Sequence, residues 1–158
     1  MYRIVADAAA HRVINPTDGK PITKIAEGTP KDLDVAVKAA QKAFDTVWGL
    51  HAPGSERSRR LAKLGDLMEQ HAETLAALEA LDNGKSFSWA KRADVSHSIQ
   101  CIRYYAGWAD KILGQTIETS EAKLTYTRHE PIGVVGQIIP WNFPRTYCFV
   151  SSCFRPQG

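Results

Sequence analysis

The sequence predicts an α/β fold of which only the opening is present. Three stretches of helical periodicity come first, and a polar-tipped hairpin pattern follows them. Last comes "IGVVGQII" at 132–139, apolar on both faces, the pattern of a strand inside a parallel sheet covered by helices. Such a strand needs neighbours reached through crossover helices. The stretch 145–158 contains Pro156, no helical periodicity and no comparable strand. The expected fold is therefore truncated, with a buried-type strand that has nowhere to pair.

Taken in order, "VINPTDGKPITKIAEGTP" carries turn signals at Asn15-Pro16 and Asp18-Gly19 between short apolar runs, which predicts a hairpin or a pair of short strands. Thr29, Pro30 and Asp32 form a helix start with a box-like cap. Leu33, Val37, Ala40, Phe44 and Val47 then recur at helical spacing. A second start at Ser55 leads into two consecutive helices. Leu61, Leu64, Met68, Leu75, Leu78 and Leu81 are expected on their buried face, and Asn83-Gly84 supplies a left-handed C-terminal cap. A third helical stretch runs from about Trp89 to Lys111, with Val95, Ile99, Ile102, Ala106 and Ala109 on one stripe, and Gly114 ends it. "QTIETSEAKLTYTRHE" predicts two strands around a polar turn at Ser120 to Lys123, and Pro140 stops the apolar strand.

Composition narrows the function classes. Hydrophobic residues make up 44% and charged residues 23% of the 158, which is globular rather than disordered. The formal charge of +3 is small, with signs interspersed, so no nucleic-acid arm and no membrane patch is expected. Three cysteines, Cys101, Cys148 and Cys153, do not make a disulfide framework. The first thirteen residues lack the apolar core of a signal peptide, and Asp7 sits poorly in a mitochondrial presequence. A cytoplasmic location is expected, with mitochondrial import as the alternative.

Few residues suggest chemistry. In "PWNFP", two prolines fix the backbone around Asn142, at the carboxyl end of the apolar strand, where ligands sit in open α/β sheets. A rigidly held amide NH₂ can stabilise an oxyanion forming on a carbonyl. The alternative is a turn in which Asn142 satisfies nearby backbone. Gly133 and Gly136 lack the spacing of a dinucleotide fingerprint and suggest close packing. Cys101 is expected to be a half-buried structural thiol, the C-x₄-C pair a poor zinc site, and His129 and Glu130 turn residues. The residues alone offer one candidate electrophile-stabilising amide and no convincing nucleophile.

"NPTDGKPITKIAEG", "LEALDNGK", "CIRYYAGWADKILGQTI" and "YTRHEPIGVVGQIIPWNFP" resemble, in the same order along the chain, segments of the NAD(P)-dependent aldehyde dehydrogenases, over about residues 13–144. The resemblance implies a Rossmann-like cofactor domain, seen here in part at 13–112 and 131–144. It implies an oligomerisation hairpin at 113–130 and leaves 145–158 as an unrelated tail. It further implies oxidation of an aldehyde substrate to an acid with NAD or NADP: a cysteine thiolate attacks the carbonyl, hydride passes to the cofactor, and a glutamate-activated water hydrolyses the thioester. By position Asn142 resembles the side-chain oxyanion donor, and Ile138, Ile139, Pro140 and Trp141 resemble the lining of the nicotinamide side of the cleft. Asp82 resembles a carboxylate that touches a monovalent cation in some members. The ribose-binding lysine, the general-base glutamate and the nucleophilic cysteine of the family have no counterpart in the matching region, and Cys148 and Cys153 fall outside it. The abrupt loss of resemblance after Pro144 suggests a frameshift, a retained intron or a misjoined gene.

Three outcomes follow. The first is an aldehyde dehydrogenase piece that is inactive by itself. The second is a non-catalytic interaction protein that forms homo- or mixed oligomers with a full-length relative through 113–130. In the third, no stable protein forms. Leaving Ile132, Val134, Val135, Ile138 and Ile139 wet forfeits roughly 7–15 kcal/mol, about the net stability of a whole domain. An unstable, aggregation-prone monomer is therefore expected.

Overall fold

A computed structural model describes residues 10–146 and 148. The chain opens on an antiparallel hairpin, β1 (Ala10–Ile14) and β2 (Pro21–Ala26), with Ala10 opposite Ala26 and an irregularity between Val13 and Ile14. Its turn is closed by Asn15, whose Oδ1 accepts from the Thr17 amide at 2.9 Å and whose carbonyl accepts from the Gly19 amide at 2.9 Å.

Helix α1 (Pro30–Thr46) begins as its sequence requires. Thr29 Oγ1 accepts from the Asp32 amide while the Asp32 carboxylate accepts from the Thr29 amide, a complete capping box with Pro30 in the first turn. The apolar stripe of α1 is nevertheless largely uncovered: Leu33, Val37 and Val47 are exposed, Phe44 is half-buried, and no residue of the helix is buried. Periodicity specifies which face is apolar, but the partner for that face must come from elsewhere.

Helices α2 (Gly54–Gln70) and α3 (Ala72–Asn83) follow, the second ending at Gly84 with φ 76°. A single turn, α4 (Phe87–Trp89), runs into a π-helical segment at Ala90–Val95 and then into α5 (Ser96–Trp108). Helix α2 packs along α5, and α3 packs on the π-helical segment. Met68, Ala76, Ala90, Val95, Ile99 and Ile102 form the core between them, with Leu61 and Leu75 against its edge. The expected buried face of α2 and α3 is thus half right. Leu64, Leu78 and Leu81 lie outward and exposed, and small alanines take the inward positions.

Close approach explains why α2 starts at a glycine. A Cβ on Gly54 would stand 2.5 Å from Asp110 Cα and 2.7 Å from the Ala109 carbonyl oxygen, at the far end of α5. Arg57 reinforces the same junction by donating to the carbonyls of Ala52 and Ala109.

A second hairpin, β3 (Thr116–Ser120) and β4 (Lys123–Tyr126), pairs Thr116 with Tyr126 and Ser120 with Lys123. This is the predicted two-stranded arm, and nearly all of it is exposed. Beyond it, 127–140 has no regular secondary structure. The apolar segment 132–139 joins no sheet among the described residues: Ile132 is 82% and Ile138 104% exposed, as the want of a pairing partner implies. The close packing expected at Gly133 and Gly136 is not found, since a Cβ at either would meet nothing within 4 Å. Gly133 instead holds φ at 109°, a conformation other residues rarely adopt. Residues 1–9, 147 and 149–158, including Cys153, lie outside the described residues.

Two predictions follow from this packing. Gly54→Ala forces the α2–α5 junction apart and is expected to cost about 1–3 kcal/mol in urea unfolding, whereas Gly107→Ala, in open space on α5, is not. Hydrogen bonds from Arg59 and then Arg60 draw the Glu56 carboxyl down to about 2 from 4.5. A lowered pKa in the fold gives support that is present above the ordinary value and lost as pH falls toward the lowered one. Acid titration of helicity should therefore show a loss between pH 4.5 and about 2 that Glu56→Gln removes.

Candidate functional site

The segment that carries the predicted site residues leaves the exposed stretch at Pro140 and turns sharply through Trp141, Asn142 and Phe143. Helical backbone follows at Pro144–Thr146. The turn is held from the helical side. Asn83, the last residue of α3, donates Nδ2 to the Trp141 carbonyl at 2.8 Å. Lys85 places Nζ over the Phe143 ring, 4.2 Å from its centroid. Arg145 donates to the Leu75 carbonyl and brings Nε to 3.7 Å from Glu79 Oε2. Thr146 Oγ1 donates to the Asp94 carbonyl at 3.3 Å and lies 3.2 Å from Ser98 Oγ.

Beneath these contacts lies a buried polar cluster. Lys85 Nζ donates to Asp94 Oδ2 at 2.6 Å and to Glu79 Oε1 at 3.4 Å, and Asp94 and Glu79 are almost wholly removed from solvent. Ser98 Oγ donates to the Asp94 carbonyl at 2.7 Å. Asp94 Oδ1 has no hydrogen-bond partner among the described residues. Charges so buried persist only when paired, so two acids set against Lys85 and Arg145 form one joint between α3, the π-helical segment and the turn.

This joint is what sequence reasoning missed. Its signal was present: Glu79 and Asp94 interrupt apolar runs at positions that helical spacing turns inward, Glu79 three residues after Ala76 and Asp94 beside Val95. A charge on a buried stripe demands a partner. The π-helical segment that delivers Asp94 has no comparable marker.

The predicted site residues are consecutive, 138–142, on the irregular segment and the turn that ends it. Asn142 is exposed at the turn. Ile138 and Pro140 are exposed, Ile139 is half-buried, and Trp141 is 84% exposed. A dinucleotide site encloses most of its ligand. Among the described residues Ile138, Pro140 and Trp141 are open to solvent and only Ile139 is partly covered. A groove of about 720 Å³ lies elsewhere, bounded by Glu69, Phe87, Lys91, Arg92 and Arg103, and includes none of them. Asp82 is exposed, and no group of His, Cys, Asp or Glu suited to a metal occurs among the described residues. Cys101 is half-buried, as expected, and burial pushes its thiol up. No helix is long and apolar enough to cross a membrane among the described residues.

Comparison with known proteins agrees with this geometry. The aldehyde dehydrogenase family model matches residues 4–153, beyond both ends of the 13–144 resemblance. An aldehyde dehydrogenase of Agaricus bisporus is 64% identical over 132 residues, 84% of this chain and 26% of that protein. One of Emericella nidulans is 61% identical over 133 residues, again 84% of this chain and 26% of the relative. The chain thus spans about a quarter of the length of the curated relatives it matches. Among solved structures, a Bacillus cereus aldehyde dehydrogenase in complex with NAD⁺ superposes with a TM-score of 0.88 at 46% identity, over 92% of this chain and 30% of that one. Helices, hairpin and final apolar segment are therefore the opening of that α/β architecture, and the chain belongs to the aldehyde dehydrogenase family.

Proposed function

We propose that this chain forms one wall of the catalytic cleft of an NAD(P)-dependent aldehyde dehydrogenase, with Asn142 as the oxyanion donor and Ile138, Ile139, Pro140 and Trp141 along the nicotinamide side. The observation that carries this reading is the turn itself. Asn142 sits exposed between two residues that are held from behind, Trp141 through its carbonyl and Phe143 through its ring, so its amide is presented without being consumed. Holding the backbone on both sides of Asn142 lowers the reorganisation its amide needs when negative charge develops on an aldehyde oxygen. When bound, the cofactor accepts the hydride that turns an aldehyde into an acid; the part of this chain is to supply the wall and the donor.

Alone, the chain is proposed to be inactive. Addition to a carbonyl needs a thiolate at hand, and burial disfavours the thiolate of Cys101. The exposed Ile138 and Trp141 need further polypeptide opposite them before a cofactor is enclosed. The test uses a chimera in which residues 13–144 replace the matching part of the Agaricus bisporus relative. The chimera is expected to reduce NAD⁺ with an aldehyde, while the isolated chain does not. Asn142→Ala in the chimera should lower kcat by about 10²–10³-fold with little change in KM for the aldehyde. An unchanged kcat would remove the donor role, and turnover by the isolated chain would remove the claim of inactivity.

A further inference from the structure

We propose that Asn83 and Lys85 are positioning residues for Asn142, fixing the turn on both sides of it from the helical layer. The proposal rests on the reading of Asn142 as the oxyanion donor and extends it to the groups that aim the amide. The geometry is specific. Asn83 Nδ2 reaches the Trp141 carbonyl at 2.8 Å across 58 residues of sequence. Lys85 lies two residues further along, beyond the left-handed Gly84, and reaches Phe143 at 4.2 Å. One short segment, Asn83-Gly84-Lys85, therefore grips the residue before Asn142 and the residue after it.

The grip is rigid because Lys85 is itself held. Its ammonium has Asp94 Oδ2 at 2.6 Å and Glu79 Oε1 at 3.4 Å on one side and the Phe143 ring on the other. A cation placed over an aromatic face while its protons go to buried carboxylates has little freedom to move. Downstream, Arg145 and Thr146 fasten the chain to Leu75, Glu79 and Asp94, so the turn cannot swing about Phe143. Upstream the contrast is sharp, since Ile138 is bare. The donor is positioned by α3 and the π-helical segment, and the sheet contributes nothing to it among the described residues.

Backbone ¹⁵N order parameters of the 158-residue chain test this. Asn83→Ala removes the donor to Trp141, and Asn83→Asp keeps its shape but cannot donate. Each is expected to lower the order parameters of Trp141, Asn142 and Phe143 from about 0.85 to below about 0.6 while α2 and α5 keep theirs. Lys85→Met should do the same, and Lys85→Arg, which restores a cation over the ring, should return the turn to the parent's values. A purely structural role would instead loosen α3 and α5 together with the turn. Unchanged order parameters at 141–143 in both Asn83 variants overturn the proposal, and so does loosening spread evenly over the helices. Asn83→Ala and Asn83→Asp leave the buried cluster intact, so the test stands even if Lys85→Met fails to fold. The kcat of the Asn142→Ala chimera reports on the donor role separately. A loosened turn supports the anchoring whatever that kcat shows.

Discussion

The pairing of Lys85 with Asp94 is the interaction on which the arrangement of the site depends. It joins three pieces of chain that the apolar core alone does not bring together: the end of α3, the π-helical segment and the turn at 141–146. Desolvating an ammonium and two carboxylates is costly, and the cost is offset only when they remain together. That requirement makes the joint specific. Core packing of Ile102 and Met68 tolerates small shifts, whereas a buried carboxylate at 2.6 Å from its lysine does not. The π-helical segment Ala90–Val95 carries Asp94 to Lys85 and to Thr146 of the turn while Val95 and Ile99 stay in the core. Extra residues in a helical turn are commonly found where function fixes a side chain's direction.

Around that joint the molecule is uneven. The bundle of α2, α3 and α5 has a core, while α1, the β3–β4 arm and the segment 132–139 show their apolar residues to solvent. This chain covers 30% of the Bacillus cereus aldehyde dehydrogenase it superposes on. The segment 132–139 is largely bare among the described residues, yet the turn that follows it is held from the helical layer. The helical layer fixes that turn whether or not 132–139 pairs with a sheet.

Much of this was legible in the residues, for identifiable reasons. The start of α1 was legible because Thr29, Pro30 and Asp32 act locally, and the turn residues Asn15, Gly19 and Gly84 likewise answer to neighbours a few positions away. The inward stripe of α5 was legible because Val95, Ile99, Ile102 and Ala106 keep helical spacing. Burial of whole faces was less so. Leu64, Leu78 and Leu81 have the right period and still point outward, because whether a face is covered depends on a partner that periodicity does not name. Gly133 and Gly136 look like packing glycines in a strand, and without sheet neighbours the packing does not arise. The turn at 141–143 was legible through its flanking prolines. The contacts that Asn83 and Lys85 make with it were not, since both lie far off in sequence and look like an ordinary helix end.

The most direct test of the central joint is a double-mutant cycle. Unfolding free energies in urea would be measured for the parent chain, Lys85→Met, Asp94→Asn and the pair. If Lys85 and Asp94 form the joint described, each single change destabilises and the double change costs less than their sum, with a coupling of about 1–3 kcal/mol. Additivity within about 0.5 kcal/mol would contradict the account, because the two groups would then be buried side by side without depending on each other.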